Sequence, residues 1–388
     1  MTQRFSSFRF AERRETAERA YRLSSWPIYL PLCVMMGGAS AAGAIPNWIL
    51  QVAAIAILAR EFLRQGPNSI SLPTSYRVAL LAIATIAIVQ LTPLPIAGAG
   101  IHGVARGVLA TISVERHWVP LSATPMITVA SLLALLPAAA IAIALLRRDT
   151  PLAMLPPLVV GVALLSLVLG LVQVRVGGDS PLYLYEITNH DAPVGFFANR
   201  NHFATLMLMA LACAVFMLRQ QESHTKRQSI LRLSGVFGVA IITFVVLLVN
   251  GSDAGILLFF PVIVASALLY RNVKVPGILL VSGLIVLAAV LAIGTINASA
   301  LNALLHRNDI LQQDRSAIWM TTLRLIATSF PFGTGLGSFA VSYANLEDPM
   351  KVTPIFVNHA HNDYLEVCND LGLLGVSAVI LFLLWWGR

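Results

Sequence analysis

Charge is the scarcest property of this 388-residue chain: Asp, Glu, Lys and Arg together make up 11% of it, against roughly one-quarter in soluble domains. With 57% of positions hydrophobic, too little polar surface remains to wrap the core of a water-soluble globule. Cysteine is nearly as rare. Cys33, Cys213 and Cys368 are too few for a disulfide framework, and the first two fall inside apolar runs, so no disulfide is expected. The start of the chain lacks the apolar h-region and small-residue cleavage site of a signal peptide. Met1 to Arg22 is polar and arginine-rich, so the first span is expected to act as its own insertion signal. Neither a repeat of fixed period nor a low-complexity tract is found, which leaves solenoids and overt inverted-repeat transporters without support.

What is abundant is apolar length, and the bilayer is therefore the solvent to reason with. A helix rises about 1.5 Å per residue and a hydrocarbon core is about 30 Å thick, so one crossing takes about 20 apolar residues. Runs bounded by charges, Pro and Gly predict spans near 26–44, 46–63, 77–96, 127–146, 152–173, 202–218, 233–249, 255–270, 276–296 and 371–386. The expected fold class is all-α: a polytopic membrane helix bundle of about ten transmembrane helices, with a periplasmic helical loop subdomain at 297–370. Residues 1–25 read as a cytoplasmic N-terminal segment, 26–150 as N-terminal membrane helices, and 151–388 as the membrane region that holds the distinctive motifs.

The formal net charge of +8 would suggest a nucleic-acid partner in a soluble protein, but here its distribution says more than its sum and no nucleic acid is expected. An even number of spans puts both termini on one side, and that side receives 18 of the 26 Lys and Arg residues. The positive-inside rule makes it cytoplasmic and turns 97–126, 174–201, 250–254 and 297–370 outward. Six of the eight histidines lie in those outward stretches, and His202 sits at an outer span end.

The densest polar cluster is Asn358-His359-Ala360-His361-Asn362-Asp363-Tyr364-Leu365-Glu366, ahead of Asp370-Leu371-Gly372-Leu373-Leu374-Gly375 at the mouth of the last span. A neutral imidazole can accept a proton from a hydroxyl, and Asp363 or Glu366 can orient it. The plainer alternative is a polar helix start capped by Asn358 or Asn362, with solvated histidines. A metal site is the third reading, since His359, His361 and Asp363 alternate as ligands on a strand do. Two histidines at i, i+2 do not share a helix face, however, and a closed site needs further ligands.

Upstream, Asp314-Arg315-Ser316-Ala317-Ile318-Trp319 opens an amphipathic helix that ends at Ser329-Phe330-Pro331. Arg315 offers a planar, permanently charged fork for phosphate oxygens, or a surface pair with Asp314 or Glu347. The run Gly333-Thr334-Gly335-Leu336-Gly337-Ser338 lacks the Gly-Lys-Ser/Thr ending and the preceding strand of a nucleotide loop, and reads as a close-packing turn. Arg200, Asn201 and His202 follow Phe196 and Phe197 at an outer span end. They are suited to sugar hydroxyls and phosphate, or to interfacial anchoring with a snorkelling Arg200. Asn250-Gly251-Ser252-Asp253-Ala254-Gly255 reads as a tight outward turn in which Asp253 caps the next helix.

Taken in order, these segments resemble the O-antigen ligase and polymerase superfamily over roughly residues 150–386. The resemblance rests on Asn199-Arg200-Asn201-His202-Phe203-Ala204, the Gly-Ser-x-Ala-Gly hairpin, the Arg315-x-x-Ile-Trp helix with its glycine-rich sequel, and His361-Asn-Asp-Tyr-Leu-Glu leading to Gly-Leu-Leu-Gly. It implies an enzyme of a bacterial inner membrane. Such an enzyme passes a polyprenyl-pyrophosphate-linked glycan to an acceptor sugar or hydroxyl on the periplasmic face, by inverting transfer without metal or other cofactor. Pyrophosphate is already a good leaving group, so positioning and charge stabilisation carry most of the catalysis. His361 is then the base or orienter for the acceptor hydroxyl and Arg315 the pyrophosphate clamp. Arg200, Asn201, His202, His359, Asn362, Tyr364 and Glu366 are the substrate-binding set, and the partners are the lipid-linked donor, the acceptor and the bilayer.

Two departures from the family pattern stand out. The hairpin usually carries an arginine after its serine, where this chain has Asp253, an acid that would repel pyrophosphate. Either Arg200 takes over the second clamp, or the donor differs, or the chain is inactive. Members also continue through further spans after the histidine block, so a shortened chain is expected from the stop at Arg388. Two other classes stay open: a transporter or flippase of lipid-linked sugars, and a metal-dependent hydrolase using His359 and His361.

Overall fold

The computed structural model describes residues 25–39, 45–63, 73–94, 119–146, 152–186, 188–190, 192–220, 225–268, 315–347, 350 and 357–387. Within them the regular secondary structure is helical apart from one two-residue antiparallel pair, β1 (Pro93–Leu94) with β2 (Val119–Pro120). The helices are α1 (Trp26–Met36), α2 (Ile45–Leu63), α3 (Thr74–Leu91), α4 (Pro125–Ala134), α5 (Leu136–Leu145), α6 (Leu155–Val176), α7 (Arg200–Gln220), α8 (Lys226–Asn250), α9 (Asp253–Leu268), α10 (Arg315–Ser329), α11 (Phe339–Leu346) and α12 (Asp363–Trp386). Among the described residues, seven stretches are long and apolar enough to cross a membrane: α2, α3, α4 with α5, α6, α7, α8 and α12. The expected spans at 26–44 and 255–270 appear as the shorter apolar helices α1 and α9, and the expected span at 276–296 lies outside the described residues. At about 1.5 Å per residue, the 11 residues of α1 reach only about half the hydrocarbon thickness.

Two compact units interleave along the sequence, Met1–Ser71 with Pro137–Arg307 and Leu72–Leu136 with Asn308–Arg388. In the first, α7 is the hub, packing against α6, α8 and α9. Ala204, Leu208, Leu211 and Val215 on α7 meet Ala240, Phe244 and Leu247 on α8 and Phe259 on α9. Close approach needs Gly255, since a Cβ there would stand 2.7 Å from the Ala204 methyl. The buried Gln173 side chain pins the segment between α6 and α7. Its Nε2 donates to the carbonyls of Leu182 and Gly195, both at 2.9 Å, and its Oε1 accepts from the amides of Val194 and Gly195.

The second unit inverts the soluble pattern of burial. Along the 18 residues of α3 the one buried side chain is Gln90, while Val78, Leu81 and Ile88 point outward, as they would toward lipid. Its other core is Ile318 on α10, Phe339 and Tyr343 on α11, and Val357 and Ala360 ahead of α12. The last helix is not continuous. Gly372 has φ 55° and ψ −136°, which divides α12 into a short outer piece carrying Asp363 to Leu371 and a longer apolar piece.

Candidate functional site

The outer piece of α12 begins with a complete N-cap. Asn362 has extended φ/ψ, and its Oδ1 accepts from the amides of Tyr364 (3.1 Å) and Leu365 (3.3 Å), so of the two asparagines considered for capping, Asn362 is the cap. Asp363 and Glu366 lie in the first turn, where negative charge is favoured by the helix dipole. The sequence left open which carboxylate would orient which imidazole. Glu366 reaches back to His359: His359 Nδ1 stands 2.8 Å from Glu366 Oε1, and the Ala360 amide donates to Oε2 at 3.0 Å. That hydrogen bond raises the His359 pKa above the ordinary histidine value against an opposing desolvation effect, so the imidazolium form is favoured.

His361 is the exposed residue between these fixed points, with φ 51°, a left-handed conformation unusual for a side chain with a Cβ. Such a conformation costs on the order of 1 kcal/mol and persists where neighbours over-determine it. Here they do. The Trp319 indole of α10 donates to the Ala360 carbonyl (3.0 Å) on one side, and the Asn362 cap holds the other. Tyr364 is 66% exposed three residues on. Arg315 is the first residue of α10 and is described by its backbone alone.

Behind this surface, the glycine loop turns out to be the partner of the break in α12. Carbonyls freed at the break are taken up by loop amides: Thr334 N–H donates to Asn369 O (2.8 Å) and Gly335 N–H to Asp370 O (2.9 Å). In return Leu373 N–H donates to Pro331 O (2.8 Å). Gln90 binds both sides, donating from Nε2 to Asp370 O (2.8 Å) and accepting at Oε1 from Leu336 N–H (3.0 Å). The expectation of a close-packing turn is met, for Gly333, Gly335 and Gly337 all have positive φ and press against Asp370, Ser122 and Ser131. Gln90, Asn369 and Asp370 were not among the expected site residues. Their signal in the sequence was polar side chains within or beside apolar runs, where burial without partners is costly.

Arg200, Asn201 and His202 belong to the first unit, at the start of α7. Asn199 caps that helix, its Oδ1 accepting from Asn201 N–H at 2.8 Å. The Asn201 side-chain oxygen accepts from Ser252 Oγ (2.7 Å), and Ser252 Oγ in turn accepts from Gly255 N–H (3.0 Å). Ser252 is therefore the cap of α9, and Asp253, expected in that role, is its first residue. Gly251, at φ 69° and ψ 29°, ends α8 in the left-handed conformation that lets the turn close. The ring of His202 packs edge-on against Phe197, with centroids 6.2 Å apart. Arg200 is half-buried, and its guanidinium makes no hydrogen bond or ion pair among the described residues, which leaves its donors open to an anion.

Comparison with known families finds one match: residues 238–380 fit the family model described as O-Antigen ligase. The matched stretch takes in most of α8, the Ser252 turn, α10, the glycine loop, the His359–Glu366 pair and α12 as far as Ile380. It covers less than half of the chain and does not reach Arg200. No curated protein matches and no solved structure matches.

Proposed function

We propose that this chain, whose residues 238–380 match the O-antigen ligase family model, is a membrane glycosyltransferase of polysaccharide assembly, moving a polyprenyl-pyrophosphate-linked glycan onto an acceptor sugar or hydroxyl at the periplasmic face of the inner membrane. The observation that carries this reading is the turn at His361: an exposed imidazole in a left-handed conformation, fixed from both sides, inside the matched region.

In the proposed reaction the acceptor oxygen attacks the anomeric carbon as its proton passes to His361. The bond from that carbon to the pyrophosphate oxygen breaks from the opposite face, the polyprenyl pyrophosphate leaves with the electron pair, and the anomeric configuration inverts. Arg315 balances the charge that grows on the leaving pyrophosphate. Tyr364 and Asn362 bind the acceptor glycan and Glu366 holds the turn through His359, while Arg200, with Asn201 and His202, is the second cationic contact of the donor. No metal takes part in this scheme. One observation favours a second reading, transport of the lipid-linked glycan: a membrane helix broken at Gly372 is a feature of transporters. The freed backbone groups there are closed by protein partners, which favours a fixed scaffold over a moving gate.

The deciding experiment is transfer in vitro from a polyprenyl-pyrophosphate glycan to candidate acceptors with a chelator present. Wild type should transfer, and His361→Ala and Arg315→Ala should each lose at least about a hundred-fold, in line with loss of a general base or of a charge-stabilising group. Binding of the lipid glycan without transfer by wild type would refute the glycosyltransferase reading in favour of transport.

A further inference from the structure

A closed ring of contacts runs through the second unit. From α10, Trp319 Nε1 bonds the Ala360 carbonyl (3.0 Å), and Ala360 N–H and His359 bond Glu366. Glu366 is on the same short outer piece of α12 as Asp370, little more than one turn away. Asp370 leads back through the glycine loop to Ser329, the end of α10. The pieces joined in this way are rigid helix segments, so the ring is only as well defined as its weakest joint.

The joint between the glycine loop and α12 runs through Asp370. It is 4% exposed and acts through both its main chain and its side chain. Its carbonyl takes Gln90 Nε2 and Gly335 N–H. Its carboxylate is an acceptor held between two donors: Oδ2 accepts from Gly337 N–H at 2.6 Å and Oδ1 from Asn369 Nδ2 at 2.9 Å. Asn369, itself fully buried, uses the same Nδ2 for Thr334 Oγ1 at 3.0 Å, and Thr334 bonds Ser338 at 2.6 Å. The carboxylate's two contacts are a backbone N–H, which can only donate, and the NH2 end of the Asn369 amide, so the site as built presents two donors to position 370.

We propose that Asp370 is a positioning residue for the transfer reaction: by clamping the glycine loop to the outer piece of α12, it sets where the His361 turn stands relative to the end of α10 that carries Arg315. This rests on the reading under Proposed function. The proposal assigns a role to a residue that touches neither substrate, and its effect falls on the chemical step while donor binding is spared.

The test is a pair of near-isosteric variants assayed in the full-length protein in nanodiscs. Asp370→Asn keeps the shape but turns an amide NH2 toward one of the two donors. It should lower kcat about ten- to hundred-fold, the range for loss of a buried hydrogen bond to a charged group, with KM for the lipid donor within about two-fold of wild type. The exchange Asn369→Asp with Asp370→Asn restores the bond between the two positions: the amide oxygen at position 370 accepts from Gly337 N–H, the amide NH2 beside it donates to the carboxylate moved to position 369, and the Thr334 hydroxyl, which can donate as well as accept, turns its proton to that carboxylate in place of accepting from Asn369 Nδ2. The exchange should recover most of the lost kcat. Maleimide labelling of Cys368, which is half-buried just before the pair, provides a readout independent of activity: faster in Asp370→Asn, back to the wild-type rate in the exchange. Wild-type kcat in Asp370→Asn, a rise in KM alone, or failure of the exchange to recover kcat would each overturn the proposal. If wild type itself transfers nothing, the glycosyltransferase reading has failed. Cys368 labelling then still decides whether Asp370 clamps the loop.

Discussion

The break in α12 makes a sharp demand at one atom, and Gly372→Ala tests it. A Cβ at this position would lie on the Pro331 carbonyl oxygen and 2.7 Å from the Gly333 nitrogen, both backbone atoms with no rotamer to move away. Its φ of 55° with ψ of −136° is also outside the regions a residue with a Cβ adopts without strain, a cost of about 1–3 kcal/mol. Relieving the clash means separating α12 from the loop, which breaks the Leu373 N–H to Pro331 O bond and exposes or orphans both groups, for about 1–2 kcal/mol more. The sum is about 2–5 kcal/mol, among the largest single-residue effects expected of a protein. Gly161→Ala is the matched control: the site is helical, nothing lies within 4 Å of the added methyl, and removing a helical glycine contributes up to about 1 kcal/mol of stability. Thermal unfolding of both variants in the same nanodiscs should lower the midpoint for Gly372→Ala by roughly 4–20 °C, taking 2–4 °C per kcal/mol, and leave Gly161→Ala at or above wild type. Equal midpoints for wild type and Gly372→Ala would refute the account of the break.

The remaining predictions concern charge. The Glu366 hydrogen bond raises the His359 pKa, so the protonated pair stabilises the turn fully at pH below the ordinary value of 6.5 and loses that contribution as pH rises through the raised one. The pH midpoint of His359 acylation by diethyl pyrocarbonate, followed by peptide mass spectrometry, should therefore lie above 6.5 in wild type and move down in Glu366→Gln. An unchanged midpoint would show that Glu366 does not govern this histidine. If Arg200 is the second donor contact, Arg200→Ala should abolish transfer while leaving the protein folded, and retained activity would remove it from the site.

The sequence read well where one physical rule acted alone. Apolar runs located the helices because each must satisfy its own backbone in lipid, and the ending of α10 at Ser329 followed from the Phe330-Pro331 pair. Glycines at 333, 335 and 337 announced close packing because positive φ and close approach both favour a missing Cβ. What stayed hidden depended on partners far away in sequence. Nothing local says that Gln90 binds Asp370, 280 residues on, or that Glu366 folds back on His359 and leaves His361 to the exposed turn. The span expected at 371–386 coincides with the apolar piece after the Gly372 break, and the polar helix start offered as an alternative is the turn that Asn362 caps, where the helix dipole favours acids.

Those hidden contacts explain why polar residues persist in so apolar a chain. Irregular backbone near a bilayer is tolerated only where protein or water satisfies it, and a helix broken at Gly372 would otherwise leave the carbonyls of Asn369 and Asp370 without donors. Two amides of the glycine loop and one side-chain amide from α3 supply those donors. Leucine at position 90 would suit burial in an apolar helix but would remove the Asp370 and Leu336 bonds together, so the buried glutamine is required by the break. The break is in turn what allows the outer piece of α12 to leave the line of the apolar piece. A straight helix through Gly372 would fix the His361 turn along the axis of the membrane span. The broken one lets the glycine loop and α10 determine its place, and joins the exposed imidazole to the helix that begins at Arg315.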